Sequence, residues 1–165
     1  MTLRQEIELR NKIVQLALLQ HNKEYKLGKR GPDYFDCAGL AWFLYNELMN
    51  IDIFKDGYGK STTTKIMTSS EGVLIKIDEQ DLNKDISDIK KGDILLIHRQ
   101  SLSDSEPKED NKYPGHCGIY IGNGKFIHAT KVTNRVCISH IDQDNHWKKK
   151  LVGYKKIIKL KKDFI

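Results

Sequence analysis

The run from His116 to Thr130 constrains this chain more than any other stretch. Two strand-like segments, His116–Ile121 and Lys125–Thr130, flank Gly122-Asn123-Gly124. Glycine and asparagine between such segments specify a tight antiparallel hairpin. The loop length then fixes which side chains meet. A two-residue Asn-Gly loop sets His128 opposite Ile119, on the side away from His116. A three-residue loop with Gly124 in the left-handed region pairs Ile121 with Lys125 and sets His128 opposite Gly118. The second register is preferred, because the sequence suits a type I turn plus bulge and because it gathers two histidines. His116 and His128 then become diagonal neighbours, about 7 Å apart at Cα. Their face carries Gly118, Tyr120, Phe126 and Thr130. The other face, with Cys117, Ile119, Ile121, Ile127 and Ala129, reads as core.

Around this hairpin the pattern is helices first, strands after. Leu3, Ile7, Val14, Ala17 and Leu18 recur at helical spacing and predict an amphipathic helix over about residues 3–20. Residues 22–36, with Gly28, Gly31 and Pro32, read as loop. Asp36 is a good N-cap for a helix over 37–49, with Cys37, Leu40, Ala41, Leu44 and Leu48 on one stripe. Further strands are predicted at 73–77, 93–98, 135–139 and 151–158. This order argues an α+β fold, N-terminal helices packed on a mostly antiparallel sheet of five to six strands, in a single domain over 1–165. The polar stretch Arg99 to Gly115 is long for a connection and reads as an exposed loop leading directly into His116.

Composition narrows the class. Of 165 residues, 39% are hydrophobic and 30% charged, as in globular domains, and no apolar run nears the roughly 20 residues of a membrane span. The first residues lack the apolar core of a signal peptide, so synthesis in the cytoplasm is expected. Lys and Arg exceed Asp and Glu by 28 to 22, a net +6, which favours anionic partners. Much of the excess lies in Lys148–Lys150, Lys155, Lys156, Lys159, Lys161 and Lys162 and reads as a solvated basic edge. The three cysteines form no Cys-x-x-Cys pair and are expected as free thiols.

The chemistry centres on Cys37. A helix N-terminus favours a thiolate, and a thiolate nucleophile needs a histidine to share its proton and a third group to orient that histidine. The hairpin offers His116 and His128. A metal site built from these histidines and a cysteine competes with this reading but has no ligand spacing from a second element. Cys117 points away from His116 and reads as core, as does Cys137; Trp147 reads as an edge-packing residue.

Three segments carry a family likeness: Phe35-Asp36-Cys37-Ala38-Gly39-Leu40, Lys91-Gly92-Asp93-Ile94-Leu95, and Gly115 to Ala129. From about Tyr25 to Val152 the chain resembles the NlpC/P60 family of papain-like cysteine peptidases. The resemblance implies Cys37 as nucleophile, His116 as base and His128, twelve positions on, as its orienter. It places Tyr25 near the nucleophile as an oxyanion donor and gives Asp36 a second role in a substrate subsite. It implies hydrolysis of amide bonds in bacterial cell-wall peptides, typically between γ-D-glutamate and a diamino acid, with no cofactor or metal. The expected partner is peptidoglycan or a muropeptide, met at the cell wall after release or delivery, with no nucleic acid and a monomeric protein. An amidase or acyltransferase using the same Cys-His pair, and a non-catalytic wall-binding module, stand as alternatives. Two departures from the pattern are Ala38, where many members have serine, and Lys60-Ser61-Thr62-Thr63-Thr64, where the family has a Pro-Arg stretch.

Overall fold

A computed structural model describes residues 1–78, 80–81, 83–98, 113–142 and 146–159. Helix α1 (Leu3–Leu19) is opened by Thr2, whose hydroxyl accepts the Gln5 N–H while the Gln5 side chain accepts the Thr2 N–H; this reciprocal cap satisfies two donors. There follow β1 (Glu24–Tyr25), β2 (Tyr34–Phe35), α2 (Cys37–Met49), α3 (Thr62–Thr68) and β3 (Val73–Lys76). The remainder is strand: β4 (Ile94–Ile97), β5 (His116–Gly122), β6 (Lys125–Thr130), β7 (Arg135–His140) and β8 (Leu151–Lys156), the last entered through a 3-10 turn at Lys148–Lys150.

The strands form one eight-stranded sheet in the order β2-β1-β7-β6-β5-β4-β8-β3. Among the described residues only the β1–β2 pair is parallel. The six longer strands are those the sequence predicts. The other two have two residues each, too short to show alternation. Helix α3 was likewise invisible to periodicity: it has seven residues, and its signal is the N-cap Ser61, whose hydroxyl accepts the Thr64 N–H. The predicted long loop lies outside the described residues over 99–112.

The hairpin adopts the predicted pairing along its body, with Ile119 opposite Ile127 and Tyr120 opposite Phe126. Its tip differs. Gly122, not Ile121, pairs with Lys125, and the extra residue is absorbed by a bulge between Tyr120 and Gly122. Asn123 and Gly124 both have positive φ, as a type I′ two-residue turn requires. The molecule combines the two-residue turn with a bulge, and the bulge restores the register that gathers the histidines. Gly118 is required there, since a Cβ would come within 2.6 Å of Phe126 and 3.2 Å of the His128 Cβ.

Helix α1 contradicts its predicted stripe. Ala17 is buried as expected, but Leu3, Ile7 and Leu18 are exposed, and the buried face is completed by Glu6, Arg10 and Ile13. The reason is a polar cluster that outweighs the apolar pattern. Arg10 donates to Glu6 (2.9 Å), Asp93 (3.0 Å) and the carbonyls of Lys91 (2.9 Å) and Ile158 (2.7 Å). Charge-assisted bonds of this kind are among the strongest in proteins, and they clamp α1 onto the Lys91-Gly92-Asp93 turn. The Gly92 carbonyl also accepts the Tyr45 hydroxyl from α2. On α2 the predicted bounds hold, but Leu48 is exposed and the buried face runs through Ala38, Leu40, Ala41, Leu44 and Tyr45.

Both sheet faces are covered. Cys117, Ile119, Ile127 and Ala129 join the helices in one core, and Tyr120, Phe126, Leu95, Ile97, Leu151 and Tyr154 form a second on the opposite side. Nor is the basic edge wholly solvated. Lys155 is buried, and its ammonium donates to the carbonyls of Met67 (3.2 Å) and Ser69 (2.7 Å) at the end of α3. Lys156 lies 3.5 Å from Asp93.

Candidate active site

Asp36 sets the site. Its Oδ1 accepts the Gly39 N–H at 2.7 Å, capping α2, and its Oδ2 accepts the Gly28 N–H at 2.8 Å, tying down the preceding loop. Gly39 has no room for a side chain: a Cβ would sit 2.0 Å from the Lys29 carbonyl oxygen. The Asp-Cys-x-Gly segment is thus a packed joint that presents Cys37 at the first position of the helix. Ala38 is fully buried in the helix-side core.

Cys37 is partly buried, and its thiol is held well below the ordinary range. The hydrogen bond from Cys117 contributes most; burial opposes it; the hydrogen bond and charge of His116 and the contact with Thr63 add to it. The Thr63 hydroxyl lies 3.9 Å from the sulfur. Cys117 is pushed the other way, its proton retained chiefly by the bond to Cys37 and by burial. Cys117 is therefore core, as expected, yet it is also part of the site. The core face of β5 is the face on which α2 packs, so a core thiol there reaches the first residue of α2.

The two histidines meet. His116 Nε2 lies 2.7 Å from His128 Nδ1, and His128 Nε2 lies 2.8 Å from the Ser139 hydroxyl. Burial, reinforced by the charge of His116, pushes His128 down to about 3, so it stays neutral in ordinary conditions. A neutral His128 carrying its proton on Nε2 donates to Ser139 and accepts from His116 at Nδ1. His116 Nε2 is then the donor, which leaves Nδ1 as the nitrogen available to Cys37.

Tyr25 is brought to the same place by β1. Burial pushes its phenol up to about 12, with Cys37 and Asp36 adding to the effect. It therefore remains a hydrogen-bond donor at any working pH.

Ser139 and Thr63 were not legible as site residues. Ser139 would have emerged from registering the second hairpin, where β7 sets Cys137 opposite His128 and Ser139 opposite Phe126. That register also corrects Cys137, which is half-buried with its sulfur 3.7 Å from His128 Nε2 rather than in the core. No cluster of three metal-ligating side chains exists among the described residues. No described helix is long and apolar enough to cross a membrane.

The family model for NlpC/P60 matches residues 22–156. The chain belongs to the NlpC/P60 family. Among curated relatives, the murein DD-endopeptidase MepH of Escherichia coli K12 is 24% identical over 93% of this chain, and the γ-DL-glutamyl hydrolase of Bacillus subtilis 168 is 30% identical over 87%. The chain spans about half the length of the first (48%) and less than a third of the second (28%). Among solved structures, NlpC2 from Trichomonas vaginalis superposes with a TM-score of 0.65 at 24% identity, over 92% of this chain and 47% of that one. That likeness bears on the fold, and it agrees with the α+β architecture described above.

Proposed function

We propose that this NlpC/P60 chain is a cysteine hydrolase that cuts amide bonds in the stem peptides of bacterial cell wall, with the γ-D-glutamyl–diamino acid bond as its target. The observation that carries the reading is the continuous line of groups from Cys37 through His116 and His128 to Ser139. The names of the curated relatives, one a murein endopeptidase and one a glutamyl hydrolase, support the substrate class.

In this mechanism the Cys37 thiolate attacks the carbonyl carbon of the scissile amide. The resulting oxyanion is met by the Cys37 N–H, one of the donors a helix leaves without an internal acceptor, and by the Tyr25 hydroxyl. His116, protonated at the stage of thiolate formation, gives its proton to the departing amine. An acyl-enzyme remains. Water, deprotonated by His116, attacks it and releases the acid. His128 holds the ring of His116 and is itself held by Ser139. Asp36 acts through the loop and helix it joins, beside whatever part of the substrate lies there.

Mass spectrometry of purified peptidoglycan and small muropeptides after digestion tests this. The expected result is a new free γ-D-glutamyl carboxylate and a diamino-acid amine, absent with Cys37→Ala. Cleavage at a sugar–peptide bond would point to the amidase alternative. Binding to walls without any new product would leave a non-catalytic module.

A further inference from the structure

Trp147 does more than pack an edge. It precedes the 3-10 turn at Lys148–Lys150, which is anchored by Lys150 N–H to the Trp147 carbonyl and by His98 N–H to the Lys150 carbonyl. From that fixed position its ring meets Phe126 at 5.4 Å and stands edge-to-face on His128 at 5.1 Å and 84°. The same ring lies against His116 at 6.0 Å with a tilt of only 31°, close to a stack. One indole therefore contacts both histidines of the site.

The two contacts differ in kind. An indole face attracts a cation within about 6 Å of its centroid. Burial keeps His128 neutral; in the reaction proposed above the proton that Cys37 loses goes to His116, the ring at the smaller tilt to the indole. An edge-to-face contact suits the uncharged partner and fixes its plane.

We propose that Trp147 is a positioning residue for the reaction: it holds His116 against His128 and stabilises the imidazolium that forms on His116 when Cys37 ionises. The proposal rests on the Cys37–His116 pairing given above. Among the described residues, the titratable groups facing this assembly include Cys37 from α2, His128 from β6, Cys137 from β7, whose sulfur lies 3.7 Å from His128 Nε2, and His146, whose ring stands 4.9 Å from Trp147. Lys148, the next residue, is paired with Asp142 at 3.2 Å.

Two readouts test it, both independent of substrate and both made in a Trp42→Phe background so that Trp147 is the one tryptophan, excited selectively over the tyrosines. An imidazolium against an indole quenches its fluorescence. Emission is expected to rise when the pH is raised far enough to remove the His116 proton, to lose that response with His116→Gln, and to keep it with His146→Gln. A response that survives His116→Gln, or that vanishes with His146→Gln, overturns the proposal. The second readout is the rate of Cys37 alkylation by iodoacetamide at neutral pH. Trp147→Leu keeps apolar bulk and removes the π face, and is expected to slow alkylation about threefold to tenfold, with Trp147→Phe recovering part of the loss. An unchanged rate in a folded Leu variant overturns the proposal. Should Leu disturb the packing on Phe126, the fluorescence comparison, which leaves Trp147 in place, still decides. Failure of the underlying pairing has a separate signature: Cys37 in the wild-type chain would alkylate no faster than in His116→Ala.

Discussion

The Arg10 cluster and the Cys37 cluster are both buried polar assemblies at helix–sheet junctions, and they are built differently. Around Arg10, fixed charges of opposite sign face one another, and the guanidinium donors end on two carboxylates and two backbone carbonyls. Arginine does not titrate in proteins, so the cation at the centre of this cluster is fixed. Around Cys37 the groups are thiols, imidazoles and hydroxyls in a line, each able to donate or accept. Moving one proton from Cys37 to His116 changes the character of the whole line without moving a heavy atom. A buried polar group holds a fold when its charge is matched and permanent; it can do chemistry when its proton has two places to be.

The sharpest way to break this contrast is to cut each cluster once. Cys37→Ala is expected to lower hydrolysis by about four or more orders of magnitude, as loss of a nucleophile does elsewhere, with little change in melting temperature because the Asp36 cap is untouched. Arg10→Met is expected to do the reverse. Removing one partner of a buried ion pair costs about 3–5 kcal/mol, while the rate per folded molecule stays near the wild-type value. Stability by denaturant titration and rate on a defined muropeptide, measured on both variants, check the pair. Loss of rate with Arg10→Met in a fully folded sample would erase the distinction.

Within the Cys37 line the effect should fade with distance from sulfur. His116→Ala is expected to be nearly inactive. His128→Asn is expected to retain activity within about a hundredfold, since an amide still hydrogen-bonds the imidazole. Ser139→Ala should lose less than His128→Asn. The kcat/KM values of the three variants in that order check the relay, and a Ser139→Ala loss equal to that of His116→Ala would contradict it.

A pH measurement sharpens the same point. His128 is neutral in the folded protein down to about 3, whereas in the unfolded chain an unperturbed histidine protonates near 6.5. Between those values the unfolded state binds the extra proton. His128 therefore makes stability fall as pH drops below about 6.5, and this loss stops growing only near the folded value. His128→Asn should flatten the dependence in that window. An unchanged slope would mean that His128 is not held neutral.

The smallest expected effect is at Cys117. Cys117→Ala should cost about 1–2 kcal/mol through the vacated core volume. It should also slow Cys37 alkylation by less than tenfold through loss of one hydrogen bond to the thiolate.

What the sequence made legible follows from range. Helix α2 and the histidine pair were readable because their determinants are local: Asp36 caps the residue that follows it, and a bulged Asn-Gly hairpin sets His116 beside His128 from within fifteen residues. The face of α1 was misread because Arg10 finds Asp93 and Ile158 across the fold, and no periodicity within one helix reports a partner that far along the chain. Thr63 was missed because a seven-residue helix shows no stripe. Cys117 was read correctly as core and incompletely as to role, since strand alternation gives the side a residue faces but not which helix end waits there.

The central claim is that this geometry makes Cys37 a thiolate while Cys117 keeps its proton. The most direct test is site-resolved alkylation, following each cysteine by peptide mass spectrometry from pH 5 to 9. Cys37 is expected to react first at neutral pH and to keep its reactivity into the acid range, and buried Cys117 is expected to be the slowest. Cys37 and Cys137 reacting at the same rate with the same pH dependence would contradict it.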